Sequence, residues 1–88
     1  MKHRSKIEII ADILENTMNE SNISSSKLTY KAFLSYYQLK EYMPLLLQNE
    51  LIKHGNKERT FMKTNKGLHF LEMYNRLHEF VERPIRIS

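Results

Sequence analysis

The chain has 88 residues, a formal net charge of +4, no cysteine and a hydrophobic content of 41%. This length predicts one domain with a single modest core, and the lack of cysteine excludes disulfides and thiolate metal sites. No stretch approaches the ~18 apolar residues of a membrane span. Glu8, Asp12 and Glu15 interrupt the apolar run near the start, which argues against a signal peptide. We therefore expect a cytoplasmic protein with no membrane partner.

The first predicted helix begins at Ser5, because Ser5 and Glu8 have the spacing of a capping box. Apolar residues then recur on one face at helical spacing, namely Ile7, Ile10, Ala11, Leu14 and Met18. The polar segment "NESNISSS" ends the helix with residues that favour turns.

Two further helices follow. The second is predicted from about Lys27 to Phe33, with Ser25 or Ser26 as its cap. A second capping box, formed by Ser35 and Gln38, starts the third helix at Tyr36. The apolar face of this helix carries Leu39, Tyr42, Met43 and Leu46. Pro44 falls on the opposite face, where water can bond the backbone carbonyl that a proline leaves unpaired.

The segments "LIKH" and "RTFMKT" predict two short strands around the turn "GNKE", which contains Gly55. Thr64 then caps a fourth helix that runs to about Glu82 and stops at Arg83-Pro84. The expected fold is mainly α with a small β-hairpin. Its body is residues 1–64, with the hairpin at about 51–64, followed by a C-terminal helix at 65–83 and a tail at 84–88.

Two short helices joined by a tight turn and followed by a basic hairpin are typical of a winged helix-turn-helix, in which the hairpin is the wing. In that fold the third helix enters the DNA major groove with its N-terminus first. Charge supports this interpretation, because five basic residues between Lys53 and Lys66 oppose only Glu58, a surplus of +4. We expect the wing to contact the DNA backbone or the minor groove.

The predicted DNA-binding residues belong to the two short helices and the wing, and they are Lys27, Lys31, Tyr36, Tyr37, Lys40, Lys57 and Arg59. A tyrosine hydroxyl can donate to a phosphate, and its ring can pack on a sugar or a thymine methyl group. Tyr37 points away from the core at helical geometry. For Tyr36 two interpretations remain: it contacts DNA, or its ring packs back against the second helix.

The segments "KLTYKAFLSYYQLKEYMPLLLQNELI" and "KTNKGLHFLEMYNRL" resemble small archaeal-type winged-helix DNA-binding proteins and transcriptional regulators, which include dimeric chromatin-like proteins of similar mass. The Thr-x-x-Gly pattern of that family is matched by Thr64 to Gly67.

Three positions depart from the sequence pattern of the family. Glu50 stands where glycine usually ends the third helix, so that Asn49 or Glu50 must take the left-handed turn. Phe33 replaces a common asparagine, and Pro44 is unusual.

In the fourth helix, Leu68 and Leu71 are expected to close onto the core of the domain. A longer apolar stripe remains, consisting of Phe70, Met73, Tyr74, Leu77, Phe80 and Val81. A small body has little surface to cover this stripe, so we expect it to pair with a second copy. The resemblance implies a homodimer in which two such helices form an antiparallel, coiled-coil-like pair.

An enzyme is not expected. The histidines (His3, His54, His69 and His78) lack convergent carboxylates, and the shared face of His69 and Glu72 is more typical of surface partners than of a metal site. No cofactor, metal or small-molecule substrate is therefore predicted.

The expected function is a homodimeric, nucleoid-associated transcriptional regulator that reads duplex DNA with helix 36–49. The alternatives are a protein-interaction module without specific DNA binding, which Glu41 and Glu58 favour, and a non-specific architectural chromatin protein.

Overall fold

The computed structural model describes residues 4–82 as four helices and one small sheet. In chain order the elements are α1 (Lys6–Asn19), β1 (Ile23–Ser24), α2 (Ser25–Lys31), α3 (Tyr36–Gln48), β2 (Ile52–His54), β3 (Thr60–Lys63) and α4 (Asn65–Glu82). The predicted fold class, mainly helical with a hairpin, is confirmed. The predicted stop at Arg83-Pro84 and the tail at 84–88 lie outside the described residues.

Both predicted capping boxes are present. The Ser5 hydroxyl accepts from the Glu8 amide at 3.1 Å, and the Glu8 carboxylate accepts from the Ser5 amide at 2.8 Å. Ser35 and Gln38 repeat this exchange at 3.1 and 2.9 Å. Since a serine cap contributes roughly 1 kcal/mol to helix stability, the starts of α1 and α3 are set by local sequence.

The predicted bounds of α2 are wrong at both ends. The helix begins at Ser25 rather than Lys27, because the hydroxyl of Ser24 accepts from the Lys27 amide at 3.1 Å and makes Ser24 the cap. It ends at Lys31 rather than Phe33, because Phe33 adopts a left-handed conformation (φ 54°) that no helix can continue.

The sheet has the strand order β1-β3-β2, with both pairs antiparallel. The hairpin of β2 and β3 confirms the prediction, and it pairs Ile52 with Lys63 and His54 with Phe61. Strand β1 was not predicted. It contains only two residues in a polar segment, and two residues are too few to produce an alternating pattern. Its Ile23 is nonetheless completely buried and lies opposite Phe61.

The core lies between α1, α2, α3 and the sheet. Its completely buried or nearly completely buried side chains are Ile13, Leu14, Thr17, Ile23, Leu28, Leu46 and Ile52. The inward face of α3 holds Tyr42, Met43 and Leu46 as predicted, while Leu39 is partly buried. Burial, with a smaller contribution from the charge of Glu41, raises the pKa of the Tyr42 hydroxyl above its ordinary value.

Helix α3 continues through Pro44, whose ring lies on the exposed face as predicted. The carbonyl of Lys40 loses its usual amide donor there, but Lys40 is exposed as well. Water can therefore satisfy the unpaired carbonyl, and the helix remains intact.

Only one of the two predicted core residues of α4 is in the core. Leu71 is buried, whereas Leu68 is 43% exposed and lies beside Met18 at the rim of a surface cleft. The inward line of α4 starts instead at Gly67, which is buried, and passes to Leu71 one helical turn later. Leu68 is rotated about 100° from Gly67 and faces outward.

The start of α4 packs tightly against the end of α3. The Thr64 hydroxyl accepts from the Gly67 amide at 2.9 Å, which confirms Thr64 as the cap. The same hydroxyl lies within donor distance of the carbonyls of Glu50 (2.9 Å) and Leu51 (3.1 Å). A Cβ atom on Gly67 would overlap the backbone carbonyl of Leu51. The Thr-x-x-Gly pattern therefore joins two helices where only glycine fits.

We expect Gly67→Ala to destabilise the protein by about 1–3 kcal/mol, the usual cost of overpacking a close contact. Alanine favours helix more than glycine does, so helix propensity alone would make this substitution stabilising. A loss of stability must therefore come from the clash with Leu51. Lys66→Ala, at the exposed neighbouring position, is the control and should change stability by less than about 0.5 kcal/mol. Urea denaturation checks both variants. If Gly67→Ala were as stable as the parent, α4 would be able to move away from the Leu51 carbonyl at no cost, and the close contact would not be important for stability.

Candidate nucleic-acid interface

The turn between α2 and α3 is a Schellman motif, a helix ending in which a left-handed residue reverses the chain. The Leu34 amide donates to the Thr29 carbonyl at 2.9 Å, and the Phe33 amide donates to the Tyr30 carbonyl at 3.4 Å. Leu34 is buried behind the turn, and Phe33 occupies the left-handed position. These bonds set the direction in which α3 leaves the turn.

A side chain from outside the two helices holds this turn. The Arg4 guanidinium donates to the Ala32 carbonyl at 2.8 Å and to the Phe33 carbonyl at 2.7 Å. It also pairs with the Asp12 carboxylate at 2.7 Å. Carbonyls at a helix end lack intrahelical donors, so that Arg4 satisfies them and connects the turn to α1.

The first turn of α3 presents two exposed aromatic rings. Tyr36 is 64% exposed and Tyr37 is 81% exposed, with ring centroids 5.9 Å apart in an edge-to-face arrangement. The Lys40 ammonium lies 5.3 Å from the centroid of the Tyr36 ring, a cation–π distance. The alternative in which Tyr36 packs back against α2 does not fit this exposure.

Helix α2 contributes Lys27 and Lys31, both exposed. The Lys27 ammonium forms an ion pair with Glu20 at 3.0 Å, so that part of its charge is already neutralised. Lys31 stands in the last turn, where a cation is favoured by the helix dipole.

The wing turn is held by hydrogen bonds from both sides. The Gly55 amide donates to the Thr60 carbonyl at 2.8 Å, and the Thr60 hydroxyl donates to the Lys57 carbonyl at 2.6 Å. From the turn that precedes β1, the side chain of Asn22 accepts from the Asn56 amide at 2.7 Å.

The Arg59 carbonyl accepts from the Ser25 amide at 2.9 Å. This bond places the wing next to the start of α2. Lys57 and Arg59 are exposed on this ordered turn, together with the acidic Glu58.

All seven residues predicted to bind DNA are therefore exposed. The structure brings Tyr36, Tyr37 and Lys40 into one cluster, and it sets Arg59 beside the helix that carries Lys27. Sequence reasoning missed two exposed rings that precede this cluster along the chain, Tyr30 and Phe33. The departure at Phe33, where related proteins commonly have asparagine, pointed to an unusual position. The sequence did not show that the ring would lie outside the core.

The described part of the chain offers no sign of an ion site or a membrane segment. Across residues 4–82, no group of three or more histidine or carboxylate side chains is arranged to hold a metal ion. None of the described helices combines the length and apolar character needed to cross a membrane.

Several solved structures share this fold. Two of them are the transcriptional repressor CouR bound to p-coumaroyl-CoA (TM-score 0.65, 13% identity) and a MarR family protein from Bacillus stearothermophilus (TM-score 0.63, 16% identity). The similarity covers 92% and 93% of this chain, which spans only 64% and 62% of theirs. At such identities the likeness shows the fold alone. No curated protein matches the chain in sequence.

A family model described as winged helix-turn-helix matches residues 3–82, nearly the whole chain. The element order, the tight α2–α3 turn and the three-stranded sheet with its basic wing agree with that match. The match indicates a DNA-binding domain and not an enzyme. The chain thus belongs to the winged helix-turn-helix family.

Proposed function

We propose that this protein is a homodimeric transcriptional regulator that inserts the N-terminal half of α3 into the major groove and rests its wing on the adjacent backbone or minor groove. The observation that carries the proposal is the exposed cluster of Tyr36, Tyr37 and Lys40 at the start of α3, on the same molecule as an ordered basic wing. The family match supports DNA as the partner.

The start of α3 has the chemistry that groove binding requires. Two phenol hydroxyls and one ammonium are available there to phosphates and base edges. The helix N-terminus adds a partial positive charge that attracts phosphate. Neither ring is needed in the core, so both are free for contact.

The wing supplies a second, sequence-independent contact. Lys57 and Arg59 flank Glu58, which leaves a local surplus of one positive charge at the tip and a larger one along the strands. Because Thr60 and Asn22 already hold the turn, little further ordering is required when it meets DNA. We infer that these two cations neutralise phosphates.

The proposed dimer rests on the outer face of α4. Phe70 and Tyr74 pack partly against the core, while Met73, Leu77 and Phe80 are 50%, 62% and 77% exposed. The side chain of Val81, also predicted for this stripe, lies outside the described residues.

Helix α1 adds the half-exposed Ile7 to this face. Together with Phe70, Met73, Tyr74 and Leu77, it lines an apolar cleft of about 220 Å³. The predicted stripe is thus part of a groove shared by two helices.

The exposed apolar area on α4 is large enough to permit pairing. Full burial of one large apolar side chain contributes about 1.5–3 kcal/mol. Three such side chains from each of two copies are therefore comparable with the roughly 4–15 kcal/mol that association costs. A two-fold pair would present two α3 helices to successive major grooves about 34 Å apart, which favours a pseudo-palindromic site.

The wing predicts a defined salt dependence. Replacing Lys57 and Arg59 together by alanine should weaken binding to every duplex and make the negative slope of log K against log [salt] shallower by about 2 units, because two phosphate contacts are lost. Glu58→Gln is the control on the same turn and should strengthen binding. Fluorescence anisotropy over a salt series measures both slopes. If the double variant kept the parental slope, the wing would not contact DNA.

For readout, we expect Tyr37→Ala to alter the preference among duplexes while changing the free energy of unfolding by less than about 0.5 kcal/mol, since the ring is exposed. The buried Tyr42 provides the contrast, and Tyr42→Ala should cost about 3–5 kcal/mol. Site selection from random duplexes and urea denaturation test these outcomes. A large loss of stability in Tyr37→Ala with unchanged preference would place this ring outside the interface.

A high ratio of specific to non-specific affinity would distinguish a regulator from an architectural protein.

The dimer is tested at the centre of the stripe. Leu77→Glu should give monomers and much weaker DNA binding, because burying an unpaired carboxylate opposes association. Asn75→Glu adds the same charge at an exposed position off the stripe and should leave the dimer intact. Sedimentation at micromolar concentration measures the mass. A parental chain that stays monomeric there and still binds DNA tightly would contradict the dimer.

A further inference from the structure

Four large aromatic rings are exposed within eight residues, on both sides of the α2–α3 turn. Tyr30 is 80% exposed and Phe33 is 81% exposed, and they precede Tyr36 and Tyr37 on α3. We call these four residues the aromatic surface. Single exposed apolar residues are ordinary, but a concentration of this kind indicates a contact surface.

Phe33 is the least expected member. It takes the left-handed position of the Schellman motif, where glycine or asparagine is strongly preferred, and a bulky aromatic residue is strained there. Its ring gains no compensating burial. A strained and exposed residue is the kind of outlier from which a functional role is inferred.

The turn that carries Phe33 is nevertheless well fixed. Arg4 bonds the carbonyls of both Ala32 and Phe33 and is itself anchored to Asp12. Leu34 is buried directly behind Phe33. The backbone of the aromatic surface is thus ordered before any ligand arrives, which lowers the entropic cost of binding.

Cations accompany the rings. Lys31 follows Tyr30 on α2, and the Lys40 ammonium already lies over the Tyr36 ring. Exposed rings interspersed with lysines are the combination by which proteins bind single-stranded nucleic acid, since bases stack on the rings while phosphates meet the cations. In a paired duplex the base faces are hidden, so a stacking surface needs unpaired bases.

We propose that Tyr30 and Phe33 of the aromatic surface form a stacking site for unpaired bases, so that the protein prefers DNA in which a duplex adjoins an unpaired segment. This inference rests on the proposed function and specifies the class of DNA bound. Phe33 and Tyr30 stack on bases, while Tyr36, Tyr37 and Lys40 continue the contact into the duplex.

The test compares three labelled DNAs at one salt concentration: a fully paired 20-base-pair duplex, the same duplex with a four-nucleotide central bubble, and one of its strands alone. Fluorescence anisotropy gives each affinity. Because one stacked base is worth roughly 5-fold to 150-fold in affinity, the parental chain should bind the bubble at least about 5-fold more tightly than the paired duplex.

Two variants separate stacking from other effects. Phe33→Asn introduces a residue that readily adopts positive φ, so it should raise the melting temperature of the protein while lowering the bubble-to-duplex affinity ratio. Phe33→Trp keeps an aromatic ring and should retain the preference. Tyr30→Ala provides an independent second site, on α2, and should also lower the ratio.

The outcomes distinguish this inference from the proposed function. Replacing Lys57 and Arg59 by alanine should weaken binding to both forms and leave the ratio unchanged. A parental ratio near one, with tight binding of the paired duplex, would overturn the stacking site and leave the proposed function standing. An unchanged ratio in both Phe33→Asn and Tyr30→Ala would also overturn it. Failure to bind any of the three DNAs would overturn both.

Discussion

The architecture depends on four non-glycine residues held in left-handed backbone conformations. They are Asn22, Phe33, Glu50 and Arg59, and no described glycine adopts a positive φ. An L-residue in this conformation is less stable than in its ordinary regions, so that each position needs support from its surroundings. At every one of them the structure shows a hydrogen bond to a residue distant in sequence, at that residue or its immediate neighbour.

These hydrogen bonds connect the elements in space. Arg4 holds the turn at Phe33, and Thr64 holds the turn at Glu50 from the start of α4. The side chain of Asn22 binds the wing, and the backbone of Arg59 binds the start of α2. Helix α3 is thereby fixed at its beginning through α1 and at its end through α4. The wing is likewise fixed to the segment that precedes α2.

Local sequence was sufficient for several features whose determining interaction spans three or four residues, although the Ser24 cap of α2, which has the same span, was missed. The capping boxes at Ser5 and Ser35, the outward face of Pro44 and the cap at Thr64 were predicted on that basis. The hairpin was predicted from two short apolar runs around a turn that contains glycine. Glu50 was one of two residues predicted for the left-handed turn after α3, and it is the one that adopts it. Strand β1 and the outward rotation of Leu68 depend on partners far along the chain, and the sequence carries no local sign of them.

The residues of the candidate site likewise fall into two groups, those that local sequence predicts and those that depend on distant contacts. Exposure of Tyr37 and Lys40 follows from helical geometry, and it was predicted. Exposure of Phe33 follows from a left-handed turn whose support is Arg4, 29 residues earlier. The short polar or aromatic segments around positions 22 and 33 gave no periodic signal from which these contacts were predictable.

Helix α1 takes part in two surfaces that otherwise have separate roles. Arg4, immediately before its cap, holds the turn that carries the aromatic surface, and Ile7, one helical turn later, lines the cleft shared with α4. Both residues lie at the N-terminal end of α1, so that one element contributes to the two surfaces. Thermodynamic linkage then requires reciprocity. If pairing of two copies increases the affinity for DNA by some factor, DNA binding must strengthen the pairing by the same factor.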